Sequence, residues 1–442
     1  MSHVQWIQTT QDSPWQTKGI EKAGNCGNTL ELDGHEFQQL KGFGGCFNEL
    51  GWRSLQRMRP EDREEVLEKL FSPKECNLLH NRMPIGASDY ARDWYSLNDT
   101  PGDYAMEHFT IERDKGYLLC YVKEAMKYQP EMTLFISPWS PPAWMKYPPV
   151  YNYGTLVWDE KNLKGYARYL RLAVEKYQEA GIPVCQLHVQ NEPAADQKFP
   201  SCLWTGEQFR VFIGEYLGPE FRQHDVKAEI WLGTVNGPGE IGERDWNGWQ
   251  YSRMAHTVLL DENARRYIAG VGYQWGGKHA LAQTHAAYPG LRLMQTENEC
   301  GNGHNSWDFM EYVFGLLWHY FRNGVEAYTY WNMVLDDGGE STWGWHQNSM
   351  VTVSADGEAV YQPEYYLMRH FSHFVRPGAV LLGLKGHEAG NALAFRNPDG
   401  SVVIELMNCL DTKRQVDLLW NGERCPILMD GHSIHTVKLN DR

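Results

Sequence analysis

The chain lacks most of the signatures by which a sequence of 442 residues can declare its chemistry. It has no run of 18 apolar residues, so nothing in it reads as a membrane span. Basic residues are in the minority, with 41 Lys and Arg against 56 Asp and Glu and a formal net charge of −15. That balance argues against a nucleic-acid partner, which needs a basic footprint. No Lys/Arg cluster is dense enough to attract an anionic membrane. The nine cysteines are odd in number and scattered, without a CxxC pair. They suit neither a disulfide framework nor a zinc site, and read as small buried groups in a reducing compartment. HExxH and both phosphate-binding glycine motifs are missing. Residues 1–8 show no basic region followed by an apolar stretch. A cytoplasmic location is therefore expected, with secretion the alternative if a leader precedes this start.

What the chain has is aromatic side chains: 18 Trp, 24 Tyr and 16 Phe. These fit a large aromatic core, or a site for pyranose rings, whose C–H faces are apolar. Hydrophobic patterning alternates short strands with amphipathic helices. Strands are predicted over 40–47, 78–85, 132–137, 184–189, 228–233, 268–275, 291–295 and 325–331. Helices are predicted over 59–71, 115–128, 162–180, 205–217, 249–260, 280–287, 307–322 and 363–374. Eight such alternations predict an α/β fold, a (β/α)8 TIM barrel. A dinucleotide-binding open sheet is the competitor; Gly42-Phe43-Gly44-Gly45 is followed by Cys46-Phe47-Asn48-Glu49 with no helix expected there, which argues against it.

Beyond residue 377 the pattern changes to short strands with hairpin turns at Asn397-Pro398-Asp399-Gly400 and Asn421-Gly422. Thr29-Leu30-Glu31-Leu32 followed by Asp33-Gly34 reads as a strand and a turn. The expected organisation is a segment 1–40 joining an all-β side domain at 377–442, with the catalytic barrel at 41–376 between them.

Two glutamates stand at predicted strand ends, 105 residues apart: Glu192 in Gln190-Asn191-Glu192-Pro193 and Glu297 in Gln295-Thr296-Glu297-Asn298-Glu299. Barrel enzymes draw catalytic residues from the C-terminal ends of strands. Two carboxylates facing one pocket are the minimum equipment for cleaving a glycosidic bond. A single strand-end Glu is more often a cap or a surface residue; the pair is harder to explain that way. Glu299 rivals Glu297, because side-chain period two puts both on one face of a strand. Asn191 offers an amide beside the acid. Ser137-Pro138-Trp139-Ser140-Pro141-Pro142-Ala143-Trp144 after the third strand is a stiff loop with two tryptophans, fit for a sugar face or a rim lid. Tyr328-Thr329-Tyr330-Trp331-Asn332 ends the eighth strand with similar chemistry. Arg82 and Asp89 near the end of the second are either an ion pair or site residues.

Taken in order, these motifs resemble the glucosylceramidase-like family of retaining glycosidases, glycoside hydrolase family 30. The resemblance covers about residues 42–374 and the β domain after it. It implies that Glu192 is the acid/base and Glu297, rather than Glu299, the nucleophile. It implies that Asn191 contacts the 2-hydroxyl, that Arg82 orients the nucleophile, and that Asp89, Trp139 and Trp331 bind the sugar beside the cleaved bond. Tyr273 and Trp275 stand as further candidate substrate contacts. The family's His-Trp-Tyr step after the sixth strand is here Gln274-Trp275-Gly276, so a ceramide aglycone is not implied. The resemblance implies a retaining β-glycosidase acting on β-glucosides or short β-gluco-oligosaccharides, with β-xylosides and β-1,6-glucan as rival substrates. It implies a β-linked carbohydrate as partner and no metal or organic cofactor. A non-catalytic carbohydrate-binding protein on the same barrel is the reading from a different class.

Overall fold

Strand and helix alternate through the middle of the chain in the computed structural model, which describes residues 4–237 and 253–440. Eight parallel strands form one sheet: Gly42–Cys46, His80–Ile85, Thr133–Pro138, Val184–His188, Glu229–Val235, Ile268–Gln274, Arg292–Glu297 and Ala327–Asn332. They are called the first to eighth barrel strands below. The eighth pairs with the first in parallel, Tyr328 opposite Phe43. The ring closes between the seventh and eighth through a Leu293–Val325 bridge and the Glu326 N–H, which donates to the Leu293 carbonyl at 2.8 Å. Above that bridge, side chains replace the backbone ladder. The Thr329 N–H donates to Gln295 Oε1 at 2.6 Å and the Trp331 N–H to Asn298 Oδ1 at 2.8 Å. The fold is thus a TIM barrel with a separate β-sheet domain.

The barrel is filled, as its strand tilt requires. Phe135, Trp231, Met294 and Ala327 form an interior layer, and the His188 ring stacks on Trp231 at 5.4 Å. The glycines of the first strand serve this packing. A Cβ on Gly44 would lie 1.8 Å from the His80 carbonyl oxygen, so the second strand can approach only a glycine. A helix, Glu49–Gln56, does follow directly, capped by Asn48, contrary to the expectation of none. It is only eight residues long, about two turns, which is short for a helical period to stand out.

The outer helices follow their capping signals. Asp159 accepts from the Asn162 N–H and starts Glu160–Glu179; Thr205 and Gln208 form a capping box. The helix opened by Thr205 does not stop at 217 but passes through a π-helical turn, Phe212–Leu217, to Gln223. The helix expected over 115–128 is broken into Glu112–Lys115 and Leu118–Met126 around Gly116. Of the helix expected over 249–260, Arg253–Leu260 is seen; residues 249–252 lie outside the described residues. Among the described residues no helix is long and apolar enough to cross a membrane.

Both chain ends contribute to a nine-stranded sheet. Val4–Thr10 pairs with Ser433–Leu439, and Thr29–Gln39 lies between Val380–Gly386 and Arg414–Trp420. The strand at Thr29 does not turn at Asp33-Gly34. Gly34 takes φ +89 and the register shifts along the pairing with Val380–Gly386, which lets the strand run on to Gln39. Glu423–Met429 pairs with Arg414–Trp420 across the Asn421-Gly422 turn and was not anticipated as a strand. The sheet meets the barrel at His370, whose ring bonds Thr9 at 2.8 Å and Thr436 at 2.7 Å.

Candidate active site

The ends of the barrel strands bring most of the predicted residues to one place, and Arg82 is its hub. The guanidinium is fully buried. Nη1 donates to Glu297 Oε2 at 2.7 Å, and Nη2 donates to Asn191 Oδ1 at 2.6 Å and Ser137 Oγ at 2.9 Å. Its flat face lies 4.5 Å from the Trp139 ring and 5.3 Å from the Trp331 ring. One planar cation thus touches the second, third, fourth, seventh and eighth strands, a task its fixed fork of donors suits and a lysine's point charge does not. Trp139 and Trp331 stack on each other at 5.4 Å with planes 29° apart, and both are buried.

Strand alternation alone does not place these side chains. Asn191 and Glu192 are neighbours, so in a continuing strand they would face opposite ways. Glu192 takes φ +47, a left-handed value that a residue with a Cβ rarely adopts. This conformation lets both side chains approach the Gln274 amide, which lies 3.4 Å from Asn191 Oδ1 and 3.4 Å from Glu192 Oε1. The turn is held on both sides. The Asn191 N–H donates to Pro138 O at 2.7 Å, and the Glu192 N–H to Thr234 O at 3.1 Å. Asn191 Oδ1 also accepts from Thr234 Oγ1 at 3.0 Å. With that oxygen occupied, Nδ2 is the amide group left to meet a ligand.

The sixth strand repeats the device. Trp275 has φ +46, and its indole N–H donates to Glu297 Oε1 at 2.8 Å. Tyr273, two residues earlier, is not brought to the site. Its hydroxyl bonds Thr284 at 2.6 Å in the helix Leu281–Ala287, on the outer side of the strand. Its candidacy as a substrate contact is corrected on that ground: alternation sends Tyr273 out and Gln274 in. Gln274 is the residue that sequence reasoning passed over. Its Oε1 accepts from Thr296 Oγ1 at 2.9 Å and Arg82 Nη1 at 3.3 Å. Its signals were its place beside Trp275 at a strand end and its standing where the resembled family has a histidine.

Glu297 and Glu299 also part company. The seventh strand ends at Glu297, so period two no longer applies beyond it. Glu299 turns to an ion pair with Lys278, whose ammonium also donates to the Trp275 carbonyl at 3.3 Å.

Three carboxyls, Asp89, Glu192 and Glu297, share this region with one guanidinium. Burial pushes Asp89 up to about 8, and the charge of Glu297 adds to that. Burial raises Glu192 as well, followed by repulsion from Glu297 and Asp89, although part of its surface meets solvent. Burial raises Glu297 too, but there the Arg82 charge and the donors of Trp275, Arg82 and Gln274 pull it back. Both glutamates are raised by burial, but only Glu297 has a paired cation and an indole donor opposing the rise. Asp89 Oδ1 and Trp331 Nε1 are buried polar atoms with no hydrogen-bond partner among the described residues. Such atoms are costly unless a ligand satisfies them.

Two loops at the ends of neighbouring strands act as one. Residues 146–156 follow the third strand and 196–203 the fourth. Bridges join Asn152 to Pro200 and Thr155 to Leu203. The Ser201 N–H donates to Tyr151 O at 3.1 Å and the Leu203 N–H to Gly154 O at 2.9 Å. The buried Lys146 ammonium crosses between them, donating to Tyr151 O at 2.9 Å and Ser201 O at 2.5 Å. Burial pulls that lysine down to about 8.

Comparison with known proteins identifies both parts of the chain. Residues 40–375 match the glycosyl hydrolase family 30 TIM-barrel domain, and residues 378–437 match that family's beta sandwich domain. Putative glucosylceramidase 2 of Caenorhabditis elegans is 31% identical over 397 residues, 84% of this chain and 75% of its own length. Endo-1,6-beta-D-glucanase neg1 of Aspergillus fumigatus is 28% identical over 428 residues, 87% of this chain and 83% of its own. The structure of SrfJ from Salmonella typhimurium superposes with a TM-score of 0.87 at 24% identity, covering 99% of this chain and 100% of that one.

Proposed function

Because the chain belongs to glycosyl hydrolase family 30, and is a glycosidase on that ground, we propose that it cleaves β-glucosides or short β-gluco-oligosaccharides with retention of anomeric configuration. Glu192 is the acid/base and Glu297 the nucleophile. The observation that carries the reading is the asymmetry between them: Glu297 has Arg82 and the Trp275 indole, whereas Glu192 has the Gln274 amide.

Protonated Glu192 donates to the glycosidic oxygen while ionised Glu297 attacks the anomeric carbon. The C–O bond to the leaving group breaks and a covalent glycosyl-enzyme forms. Glu192, now a carboxylate, takes a proton from water, and the water oxygen displaces Glu297. Retention calls for carboxyls roughly 5–5.5 Å apart. That one glutamine at the sixth strand end contacts Glu192, while its neighbour Trp275 contacts Glu297, is in keeping with a close pair. Trp139 and Trp331 offer apolar faces to the glycone ring. Asp89 Oδ1 and Trp331 Nε1 are suited to its outer hydroxyls, and Asn191 Nδ2 to the 2-hydroxyl.

NMR of the first-formed anomer from an aryl β-glucoside tests the mechanism: β product is expected, and α product overturns retention. A second reading, β-1,6-glucanase, is favoured by the relative that carries that name in Aspergillus fumigatus. Comparing kcat/KM on aryl β-glucoside, β-xyloside, gentiobiose and β-1,6-glucan separates the readings. A xyloside preference beyond about tenfold, ~1.4 kcal/mol in transition-state binding, removes the glucosidase assignment.

A further inference from the structure

The indole that donates to Glu297 stands on strained backbone. Trp275 has φ +46, a value that a residue with a Cβ keeps only where its surroundings over-determine it. It opens a short 3-10 turn, Trp275–Ala280, in which side chains three residues apart eclipse. Lys278 is three residues on, and its ammonium reaches back to donate to the Trp275 carbonyl at 3.3 Å. Two glycines let this turn lie against the end of the fifth strand. A Cβ on Gly277 would stand 2.1 Å from the Val235 carbonyl oxygen, and one on Gly276 would stand 3.0 Å from that of Asn236.

The same ammonium pairs with Glu299, two residues beyond Glu297. The contacts close a ring. Glu297 accepts from the Trp275 indole at 2.8 Å, the Trp275 carbonyl accepts from Lys278, Lys278 pairs with Glu299, and the chain returns through Asn298 to Glu297. The ring is anchored from outside. Asn298 Oδ1 accepts from the Trp331 N–H at 2.8 Å, and Asn298 Nδ2 donates to the Glu299 carbonyl at 2.7 Å. From the helix Trp307–Arg322, the His319 ring donates through Nε2 to the Lys278 carbonyl at 3.0 Å, and Tyr312 faces Glu299. His279 is a further titratable group beside the pair. The Lys278 and Glu299 side chains are only 19% and 12% exposed, so solvent screens their attraction weakly.

An ion pair that served stability alone could sit anywhere on the barrel rim. This one meets the carbonyl of the residue that supplies an indole donor to Glu297, and it ties that residue to the chain two positions past Glu297. We propose that Lys278 is a positioning residue for the reaction: paired with Glu299, it holds Trp275 in the turn from which the indole reaches the nucleophile. Lys278 acts through the indole rather than on the sugar. This rests on the assignment of Glu297 as nucleophile. It adds that the sixth and seventh strand ends are locked together by a cation outside the pocket's own set of donors.

The test is a mutant cycle on an aryl β-glucoside. Lys278→Met should lower kcat about fivefold with KM nearly unchanged, and an unchanged kcat overturns the proposal. Added to Trp275→Phe, Lys278→Met should cost less than about twofold more. Full additivity overturns the proposal, since the ammonium would then act without the indole. Glu299→Leu decides by sign. Removing a negative charge near Glu297 would by itself move the acid limb of the pH profile down, whereas loosening the indole moves it up. A limb that moves down or stays in place overturns the proposal. Proton–nitrogen NMR of the indole N–H groups gives a readout that needs no turnover. The Trp275 resonance, identified by its loss in Trp275→Phe, should move upfield in both Lys278→Met and Glu299→Leu, and an unmoved resonance overturns the positioning role. If no aryl β-glycoside is cleaved, the glucosidase reading fails and this resonance alone decides whether Lys278 positions the indole.

Discussion

The ends of the fourth and seventh barrel strands each deliver a glutamate to the same pocket, by different routes. Glu297 is the last residue of a regular strand and reaches a buried arginine and an indole donor. Glu192 follows the end of its strand, turns inward through φ +47, and contacts an amide at 3.4 Å. The first setting supplies charge and donors that offset burial, so ionisation is opposed less than burial alone would oppose it. The second supplies burial and negative neighbours, so a proton is retained. Identical side chains are given unlike partners by what surrounds them, which is the asymmetry the proposed division of roles rests on.

Removing either carboxylate is the hardest blow to this contrast. Glu297→Ala should lower kcat by about 10⁴-fold, since the covalent route is lost, and azide should leave retention unrestored. Glu192→Ala should cost about 10²- to 10⁴-fold on a β-glucoside with a poor leaving group. Azide should partly restore its turnover on an activated aryl glycoside, where no protonation is needed. Kinetics with and without azide, together with the anomer formed, distinguish the two.

Arg82→Lys keeps the charge but abandons the fork of donors. A fall in kcat of about 10²- to 10³-fold is expected, because the site loses fixed donors to Glu297 and Asn191 together. Trp275→Phe removes one donor to Glu297 and should cost roughly 10-fold in kcat, the scale of a hydrogen bond to a charged group. It should also shift the pH profile. Activity needs Glu297 ionised, and loss of the donor raises its pKa, so the acid limb should move to higher pH. The alkaline limb belongs to Glu192, whose raised pKa keeps its proton above the ordinary carboxylate range, and it should stay in place. An acid limb that does not move in Trp275→Phe would show that the indole bond is not what sets Glu297 apart.

The smallest expected effect concerns stability at Asp89. Its folded pKa is raised to about 8, so the folded state binds this proton more tightly than the unfolded chain. The resulting stability is full below the unfolded pKa and is lost as pH rises through the folded one. Asp89→Asn should therefore raise Tm at pH 8 by roughly 1–3 °C and by less at pH 4, a size typical of ~1 kcal/mol in a chain this long. The same variant should lose more kcat/KM on an aryl β-glucoside than on the β-xyloside, which lacks the outer hydroxymethyl group. Thermal scans at the two pH values and paired kinetics check both halves.

Most of the barrel was legible because hydrophobic period and capping residues are local signals. Asp159 and Thr205 announce their helices, and the apolar strands lie close to the predicted ranges. Less of the pocket was legible from pattern alone, because the pocket forms where pattern stops. Period two misjudged Glu299, since the strand ends at Glu297. It gave no reason for Trp275 to turn back while Tyr273 faces a helix, since a left-handed residue breaks the alternation. Gln274 was invisible as a hub because its partners, Arg82, Asn191, Glu192 and Thr296, come from three other strand ends. The resemblance to a family supplied the positions that alternation could not. Glu49–Gln56 was missed because two turns are short for a period to stand out, and Glu423–Met429 because Pro426 at its centre argues against a strand.

The stitching of residues 146–156 to 196–203 bears on how such an enzyme is altered. One of these loops carries Tyr151 and the other begins just after Glu192, yet strand-like bridges and the Lys146 ammonium make them a single miniature fold. A graft that exchanges residues 196–203 with a relative's would take away the backbone donors to the Tyr151 and Gly154 carbonyls and one acceptor of the buried Lys146 ammonium. Substrate range on this side of the barrel is therefore inherited in pairs: the two loops are one interchangeable part, and recombination between them should be read as a cut through a module rather than between modules.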